Sequence, residues 1–385
     1  MKPGYRQTEV GTIPEDWEVA PLGKHATFRT GPFGSTLHQS DYVTCGIPII
    51  NPMHIDDGSI FPSETMTVSE QTASALSEFK LKAGDIVIGR RGDMGRCAVV
   101  REQQAGWLCG TGSMIVRPTD AVADYLQRVL SSREVIAAIE NASVGTTMVN
   151  LNQGTLSGLK IQFPPPPEQS TIASALSDVD ALLAGLDKLI AKKRDLKQAA
   201  MQQLLTGKTR LPGFAGEWEV KRLDALAEIR SGGTPSTSIS KLWDGNIPWC
   251  TPTDITQLNG SKYLATTSRT ISQEGLNNSS AEMIPSSSVV MTSRATIGEC
   301  AINSVPVTTN QGFKNFVPFE TTDVEFLYYL LQTQKQGFIR LCAGSTFLEI
   351  GKTQLAAYEV RPPVTKEEQA AIAEVLSDMD TELAA

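Results

Sequence analysis

The apolar positions between residues 172 and 190 recur at steps of four and three along the chain. This spacing is typical of a narrow seam between two helices rather than of the broader stripe of a helix lying on a core. Four prolines at 164–167 precede the pattern and Thr206-Gly207 follows it, so we predict one helix over 168–205, roughly 57 Å long at about 1.5 Å per residue. The seam residues are Ile172, Leu176, Val179, Leu183, Leu186 and Ile190.

A second copy of this pattern lies 200 residues further on. Pro362-Pro363 and Glu368-Gln369 precede it, as prolines and Glu168-Gln169 precede the first. We expect the two helices to pair along their seams, and the alternative is that each packs on its own domain. The apolar residues of the second copy are Ile372, Leu376, Met379 and Leu383.

The repeat extends over nearly the whole chain, which predicts two similar globules. Each has a Trp-Glu-Val start, a glycine-rich turn, short buried strands, an arginine turn and a helical segment. We predict an α+β fold with an irregular sheet in each globule, and a pseudo-twofold internal repeat. The matched segments are 17–19 and 218–220, 29–35 and 230–236, 84–88 and 288–291, 91–98 and 294–301, and 123–139 and 324–339.

The short connection at 206–216 requires the second helix to run back along the first, which predicts an antiparallel coiled coil with the globules at its opposite ends. The predicted domains are a first globule at 1–160, a first helix at 161–211, a second globule at 212–360, and the start of a second helix at 361–385. The segment that would match 184–211 does not follow, so we expect a shortened helical docking surface.

Composition narrows the class of protein. The six cysteines form no C-x-x-C pair, which argues against a zinc ribbon or a disulfide framework. Residues 1–17 have no apolar signal core, and no apolar run is long enough to span a membrane. We therefore predict a cytoplasmic protein. Its net charge of −8 argues mildly against nucleic acid as a partner unless the charges segregate. The run at Lys192–Arg194 with Lys197 is a solvated face, or a face toward DNA or a partner.

Two similar globules at a fixed separation suit duplex DNA, whose half-sites repeat at about 34–36 Å per helical turn. The globules differ in detail, so the two half-sites are expected to differ in sequence.

Several of these features together resemble the specificity subunit of type I restriction–modification enzymes. They are the two Trp-Glu-Val starts, the 230–236 turn, Ile247-Pro248-Trp249, the 198–211 segment and the Pro-Pro, Glu-Gln, Ile-Ala, Leu-Ser-Asp series before each helix. The resemblance covers essentially the full chain. It implies two target-recognition domains that read a split double-stranded DNA site. It also implies helices that dock two modification subunits, which carry S-adenosylmethionine and methylate adenine, and restriction subunits that join the assembly.

The candidate DNA contacts lie in the glycine-rich and arginine turns. An arginine fork suits guanine or phosphate, and glycine-rich backbone approaches phosphate. The alternatives are an internal salt bridge for each arginine and an ordinary strand connection for each turn. Thr146, Thr147, Ser345 and Thr346 are further candidates for backbone contact. The main candidates are Arg29, Thr30, Arg90, Arg91, Arg96, Arg230, Ser231, Thr234, Ser293 and Arg294.

The sequence offers no catalytic, metal or cofactor site. Two Gly-Lys-Thr fragments lack the first glycine of a phosphate-binding loop, and the three histidines lack ligand spacing. We therefore predict a non-catalytic DNA-specificity module without a cofactor of its own. The alternative is an assembly scaffold whose globules bind protein. A methyltransferase acting alone would need a cofactor site that the sequence does not supply.

Overall fold

The computed structural model describes residues 3–33, 36–92, 95–142, 151–342 and 349–384. It divides into two compact units, Met1–Ala184 (unit 1) and Gly185–Ala385 (unit 2), and each is described by itself. The candidates Thr146, Thr147, Ser345 and Thr346 lie outside the described residues.

Unit 1 is built on two four-stranded sheets with short helices around them. One sheet has the order β11-β10-β13-β4 and is antiparallel; the other has the order β12-β6-β9-β5. Its strands are β1 Tyr5–Thr8, β2 Gly11–Pro14, β3 Glu18–Pro21, β4 Ala26–Thr30, β5 Tyr42–Val43, β6 Ile47–Ile50, β7 Ile55–Asp56, β8 Ser59–Ile60, β9 Thr67–Val68, β10 Ile86–Gly89, β11 Cys97–Val99, β12 Leu108–Cys109, β13 Ser113–Pro118 and β14 Lys160–Phe163. Its helices are α1 Glu70–Ala75, α2 Ala123–Leu130, α3 Arg133–Ala142, α4 Gln153–Gly158 and the first part of α5 Pro166–Leu204.

Unit 2 repeats the first of these sheets. Strands β16-β23-β20-β21 pair in the order of β4-β13-β10-β11, with β18 added at the edge. Its strands are β15 Lys221–Arg222, β16 Ala227–Ser231, β17 Trp243–Cys250, β18 Tyr263–Leu264, β19 Arg269–Ile271, β20 Ser288–Thr292, β21 Cys300–Asn303, β22 Thr308–Thr309, β23 Phe313–Pro318 and β24 Glu359–Val360. After the end of α5, its helices are α6 Pro252–Thr256, α7 Gln273–Asn277, α8 Val324–Thr333, α9 Lys335–Leu341, α10 Lys352–Ala356 and α11 Lys366–Ala384.

These elements confirm the predicted α+β repeat and the predicted long helix, which spans Pro166–Leu204. The single helical segment predicted in each globule is instead two helices, α2 with α3 and α8 with α9. The break falls at the polar residues Ser131-Ser132 in unit 1 and Gln334 in unit 2. Turning the chain there brings Ile139 and Phe338 into their cores, which a straight helix would not do.

In each unit, a hydrogen bond between a tryptophan and a glutamate joins the beginning of the globule to the start of a long helix. The indole N–H of Trp17 donates to Glu168 over 3.1 Å, and that of Trp218 donates to Glu368 over 3.3 Å. In unit 2 the Glu368 carboxylate also receives two hydrogen bonds from Arg210, at 2.6 and 2.8 Å. The repeated tryptophan and glutamate therefore form the same joint between globule and helix in both units.

The neighbouring glutamines complete this joint. Buried Gln169 accepts from the Val122 N–H and donates to the Pro164 carbonyl, each over 2.8 Å. Gln369 likewise accepts from the Asp323 N–H at 2.9 Å and donates to the Pro363 carbonyl at 3.2 Å. These bonds satisfy backbone groups that would otherwise be buried without a partner.

Within unit 2, the last part of α5 runs antiparallel to α11. Lys193 pairs with Glu382 over 2.9 Å and Lys197 pairs with Asp380, so residue numbers rise along one helix as they fall along the other. The basic run is therefore ion-paired in part rather than wholly solvated. The predicted antiparallel sense is confirmed for this stretch.

The predicted seam needs a correction. Ile372 and Leu376 do not form a narrow seam but lie in the core of unit 2 with Met201, Leu204 and Leu205, and Met379 packs against its edge. A globule and the end of α5 together cover more of α11 than one helix would. In α5 the seam positions Leu176, Val179, Leu183, Leu186 and Ile190 are exposed, and Ile172 is half-buried. Among the described helices, none combines the length and apolar character needed to cross a membrane.

We expect Arg210→Met to destabilise the protein by about 3 kcal/mol, because it leaves the nearly buried Glu368 carboxylate without its ion-pair partner. Urea unfolding would measure the loss. The double variant Arg210→Met/Glu368→Gln should regain most of it.

The matched control is Arg222→Met, which removes the exposed pair of Arg222 with Asp224 and should cost less than about 1 kcal/mol. Equal losses of stability in Arg210→Met and Arg222→Met would contradict the role assigned to Glu368.

Candidate nucleic-acid interface

The turns predicted to contact DNA in unit 1 come together at one end of its antiparallel sheet. We define the unit 1 turn cluster as residues 29–33, 51–53, 89–92 and 110–112. The Gly31 N–H donates to the Ser113 carbonyl at 3.0 Å, and the Arg90 N–H donates to the Gly112 carbonyl at 3.0 Å. The side chain of Asn51 ties in the third turn by accepting from the Gly112 N–H at 3.2 Å.

Unit 2 builds the same arrangement from the matching segments 230–234, 251–253, 293–295 and 310–312, which form the unit 2 turn cluster. The Ser293 N–H donates to the Gly312 carbonyl at 2.7 Å, as the Arg90 N–H does to the Gly112 carbonyl in unit 1. The Asn310 N–H donates to the Cys250 carbonyl at 3.1 Å, as the matching Gly110 N–H does to the Ile50 carbonyl at 2.8 Å. The Gly312 N–H is bonded to the side chain of Asn310 at 2.8 Å, whereas in unit 1 Asn51 of another turn accepts from Gly112. The two clusters therefore share a backbone frame.

The arginine turn has the same backbone form in both clusters. Arg91 is followed by Gly92 at φ +77°, and Arg294 is followed by Ala295 at φ +54°. A left-handed residue turns the chain sharply after each arginine, and glycine adopts this form without the steric cost that alanine incurs. Both turns then reach a second left-handed glycine, Gly95 or Gly298.

The predicted residues of unit 1 divide into exposed and buried groups. Arg29 is exposed and ion-paired with Glu78 at 2.8 Å, and Thr30 accepts a hydrogen bond from Gln153 at 2.9 Å. Arg91 is exposed, and among the described residues it has no ion pair. Arg96 is also exposed and donates to the Ile55 carbonyl at 3.4 Å. All four lie in or beside the unit 1 turn cluster.

Buried Arg90 and its counterpart Ser293 require a correction. Arg90 is 7% exposed and Ser293 is fully buried. The sequence made both residues candidates for DNA contact, but both side chains are buried. Each residue directly follows a strand, β10 or β20, in which every residue is buried, because both faces of the sheet are covered, and the next side chain is therefore also enclosed.

The predicted residues of unit 2 are held by internal partners. Arg230 pairs with Glu228 at 2.6 Å and donates to the Met283 carbonyl at 3.3 Å. Arg294 pairs with Glu349 at 2.8 Å. The half-buried Thr234 hydroxyl donates to Gln311, and Ser231 is also half-buried. The internal salt bridge that we considered as an alternative is thus present at Arg230 and Arg294, although both side chains remain partly exposed.

A buried lysine below the unit 2 turn cluster was missed by sequence reasoning. Lys314 is 5% exposed, and its ammonium group donates to the Phe313 carbonyl at 3.3 Å and to Ser293 Oγ at 3.5 Å. Burial lowers the pKa of Lys314. In unit 1 the same strand position holds Met114, and the buried cation comes from Arg90 instead. The sequence signal for this buried lysine was its place between Phe313 and Asn315 in a buried strand.

The described residues hold no group of three or more histidine, cysteine, aspartate or glutamate side chains that could bind a metal. Burial raises the pKa of the Cys97 thiol to about 11, which opposes formation of a nucleophilic thiolate. His25 contacts Asp120 at 2.9 Å but packs against Phe163 in the unit 1 interior.

This is a duplicated α+β chain with two matched turn clusters and a long helix. The family model described as the type I restriction modification DNA specificity domain matches residues 14–193 and again 215–385. The chain therefore belongs to this family of DNA specificity proteins.

Named relatives agree with this membership. A type I restriction enzyme MjaIX specificity subunit from Methanocaldococcus jannaschii is 38% identical over 166 residues, which is 43% of this chain and 38% of that protein. A putative MjaX specificity subunit from the same organism is 26% identical over 98% of this chain and 89% of its own length.

Solved structures share the fold. The HsdS subunit from Thermoanaerobacter tengcongensis matches with a TM-score of 0.54 at 18% identity, over 97% of this chain and 91% of that chain. A structure from work on complex assembly and conformational transition of the type I R-M system matches with a TM-score of 0.60 at 19% identity, over 97% and 92%.

We expect Lys314→Met to stabilise the protein by about 1 kcal/mol at neutral pH, because methionine occupies the matching place in unit 1 and a buried charge is removed. Because the pKa of Lys314 is lowered in the folded chain, its ammonium group loses a proton at a lower pH than in the unfolded chain, where the pKa of lysine is near 10.5. Stability of the wild type therefore rises with pH between these two pKa values. The advantage of the variant should shrink as pH rises from about 7 to about 10.

Urea unfolding at several pH values would measure this effect. Lys208→Met, which removes an exposed lysine of unit 2 that does not influence the pKa of Lys314, serves as the control and should leave the pH dependence unchanged. A destabilised Lys314→Met chain would show that the lysine is needed for folding.

Proposed function

We propose that this chain is the DNA-recognition subunit of a type I restriction–modification complex and reads a bipartite, asymmetric DNA site. The observation that carries the proposal is the turn cluster built twice on one backbone frame, with Arg91 and Arg294 in the same place. Each cluster would read one part of the site.

The ion pairs of the clusters favour exchange with DNA. Arg29 and Arg294 are held by the carboxylates of Glu78 and Glu349, and all four side chains are at least one-third exposed. An exposed ion pair contributes little to stability, so a phosphate or a guanine can replace the carboxylate at small cost.

Differences between the clusters favour an asymmetric site. At matching positions unit 1 presents Phe33 and Met53, which are 65% and 69% exposed, where unit 2 presents Thr234 and Thr253. An apolar side chain and a hydroxyl contact different base edges in the major groove. One backbone frame with two such surfaces would read two different half-sites.

The exposed apolar residues of α5 support docking of partner proteins. Leu176, Val179, Leu183, Leu186 and Ile190 are each more than one-third exposed on one helix, which is unusual for a chain that functions alone. We infer that they dock two modification subunits, which would carry S-adenosylmethionine and methylate adenine. Restriction subunits would join this assembly, and this chain would contribute no catalytic residue or cofactor.

The second candidate is an assembly scaffold whose globules bind protein. Salt dependence separates the two, because DNA binding through phosphates weakens linearly on a plot of log affinity against log salt. Sequence-selective binding with this slope supports DNA recognition, and its absence in the assembled complex supports the scaffold.

A domain exchange tests the whole proposal. Residues 15–160 would be replaced by the equivalent segment of a family member with a known site, and methylated adenines would be mapped in cells that contain the modification subunits. The hybrid should methylate a site with one new half and one retained half. An unchanged site, or a change in both halves, would contradict reading by separate units.

We expect Arg294→Ala to weaken binding to the half-site read by unit 2 by about 1–3 kcal/mol. Glu349→Gln should have the opposite effect, since it frees Arg294 from its carboxylate partner. Binding of the assembled complex to half-site variants of its own recognition duplex would measure both.

Arg222→Ala, in an exposed pair outside the turn cluster, is the control and should leave DNA affinity unchanged. If Arg294 only fastens its turn, Arg294→Ala and Glu349→Gln should weaken binding together, and the role assigned to Arg294 would be wrong.

A further inference from the structure

Unit 2 contains an arginine that stacks on a pair of tryptophans beside its turn cluster. The guanidinium carbon of Arg269 lies 3.9 Å from the ring centre of Trp243 and 5.2 Å from that of Trp249. The two indole rings meet edge to face, with their centres 4.8 Å apart. Both tryptophans are buried whereas Arg269 is exposed, so the arginine covers the rings on their solvent side.

Hydrogen bonds fix the two rings to the glycine-rich turn of unit 2. The Trp249 indole N–H donates to the Gly233 carbonyl at 2.9 Å, and the Trp243 indole N–H donates to the Ser236 carbonyl at 3.0 Å. Trp249 also lies directly opposite Arg269 in the antiparallel pairing of β17 with β19. The surface on which Arg269 stacks is therefore held in place by two indole hydrogen bonds and a strand pairing.

A buried aspartate ties the strand of Arg269 to a second turn of the same cluster. One carboxylate oxygen of Asp254 accepts from the Ser268 N–H at 2.7 Å. The other accepts from the N–H and the hydroxyl of Thr251, each at 2.7 Å. The residue before Arg269 is thus bonded to one turn of the cluster, and the rings beneath Arg269 are bonded to another.

The stack leaves the hydrogen-bonding edge of Arg269 exposed. A guanidinium stacks through its flat face, while its five N–H groups point outward in the plane. Within the described part of the chain, Arg269 forms no ion pair and its side chain donates no hydrogen bond. By contrast, Arg230 and Arg294 are paired with Glu228 and Glu349. DNA can therefore reach the donors of Arg269 without displacing a carboxylate.

The matching place in unit 1 has no stacked arginine. Strand β9 corresponds to β19, because one residue of each strand pairs with two positions of the segment before it, four or five residues apart. On this register, the places of Trp243, Trp249 and Arg269 are held in unit 1 by Tyr42, Ile49 and Met66. Met66 is half-buried and carries no hydrogen-bond donor in its side chain, so the stacked donor is particular to unit 2.

We propose that Arg269 is a specificity-determining residue that reads a guanine in the half-site of unit 2. The inference rests on the proposed DNA recognition and adds to it a residue and a base. An arginine fork donates to the O6 and N7 of guanine from one plane, which distinguishes guanine from the other bases in the major groove. Stacking on Trp243 holds that plane before binding, so less side-chain freedom is lost when the contact forms.

Binding of the assembled complex to a panel of duplexes tests the proposal. The recognition duplex is first identified by mapping methylated adenines in cells with the wild-type chain, and each base pair of the unit 2 half is then replaced in turn. We expect the wild type to lose about 5- to 150-fold in affinity when one G·C pair is replaced. Arg269→Met, which introduces the matching residue of unit 1, should bind the original and that replaced duplex equally and keep the wild-type preferences elsewhere.

Two further variants separate base reading from charge and from folding. Arg269→Lys keeps a cation over Trp243 but lacks the planar fork, so it should recover overall affinity and only part of the preference for guanine. Arg222→Met removes an exposed, ion-paired arginine outside the turn cluster and should change neither. Urea unfolding of each variant shows whether the stack is needed for folding. If Arg269→Met is destabilised, the lysine variant decides between the outcomes.

Three results would overturn the assignment. Affinity that falls equally for every duplex in Arg269→Met, with a smaller salt dependence, would show a phosphate contact. Full recovery of the guanine preference by Arg269→Lys would show that charge alone matters. An unchanged profile in Arg269→Met would show that the stack serves only the fold. In each case the wild type still selects both half-sites, whereas failure of the proposed function itself would appear as loss of sequence-selective binding by the wild type.

Discussion

The hydrogen bonds around Glu168-Gln169 and Glu368-Gln369 fix the relation between each globule and its long helix. Each glutamate accepts from the indole at the start of its unit, and each glutamine bonds two backbone groups of the same unit. Both glutamines are almost fully buried. Because each buried polar group needs a hydrogen-bond partner, these side chains restrict the helix start to a narrow range of positions. That placement sets where each helix starts relative to its own globule.

Much of the fold could be predicted from the sequence because the internal repeat gives the same pattern of residues twice. The spacing of apolar residues indicated α5, and the prolines before it and Thr206-Gly207 after it indicated its limits. The repeated Trp, Glu and Gln residues indicated two equivalent units. The division of α2 from α3 was not predicted, since Ser131-Ser132 does not by itself end a helix. The core positions of Ile372 and Leu376 were also missed. Their spacing fits a helical seam and a globular core equally well, and only tertiary contacts distinguish the two.

Less of the candidate interface could be predicted. The repeat correctly paired Arg91 with Arg294, whose turns share left-handed residues at matching places. Exposure could not be read from sequence, so Arg90 and Ser293 seemed equivalent to their exposed neighbours. Ion-pair partners such as Glu78 and Glu349 are distant in sequence from the arginines that they hold, and they have no repeated motif. Such contacts depend on loop conformation rather than on local pattern.

The Trp–Glu joint is assembled from the two ends of each unit, with the indole near its beginning and the carboxylate some 150 residues later. Because unit 1 and unit 2 use the same pair of residues, the joint connects the two ends of a unit whatever sequence lies between them. The intervening segments can therefore diverge, as those of the two units have, without loss of this contact.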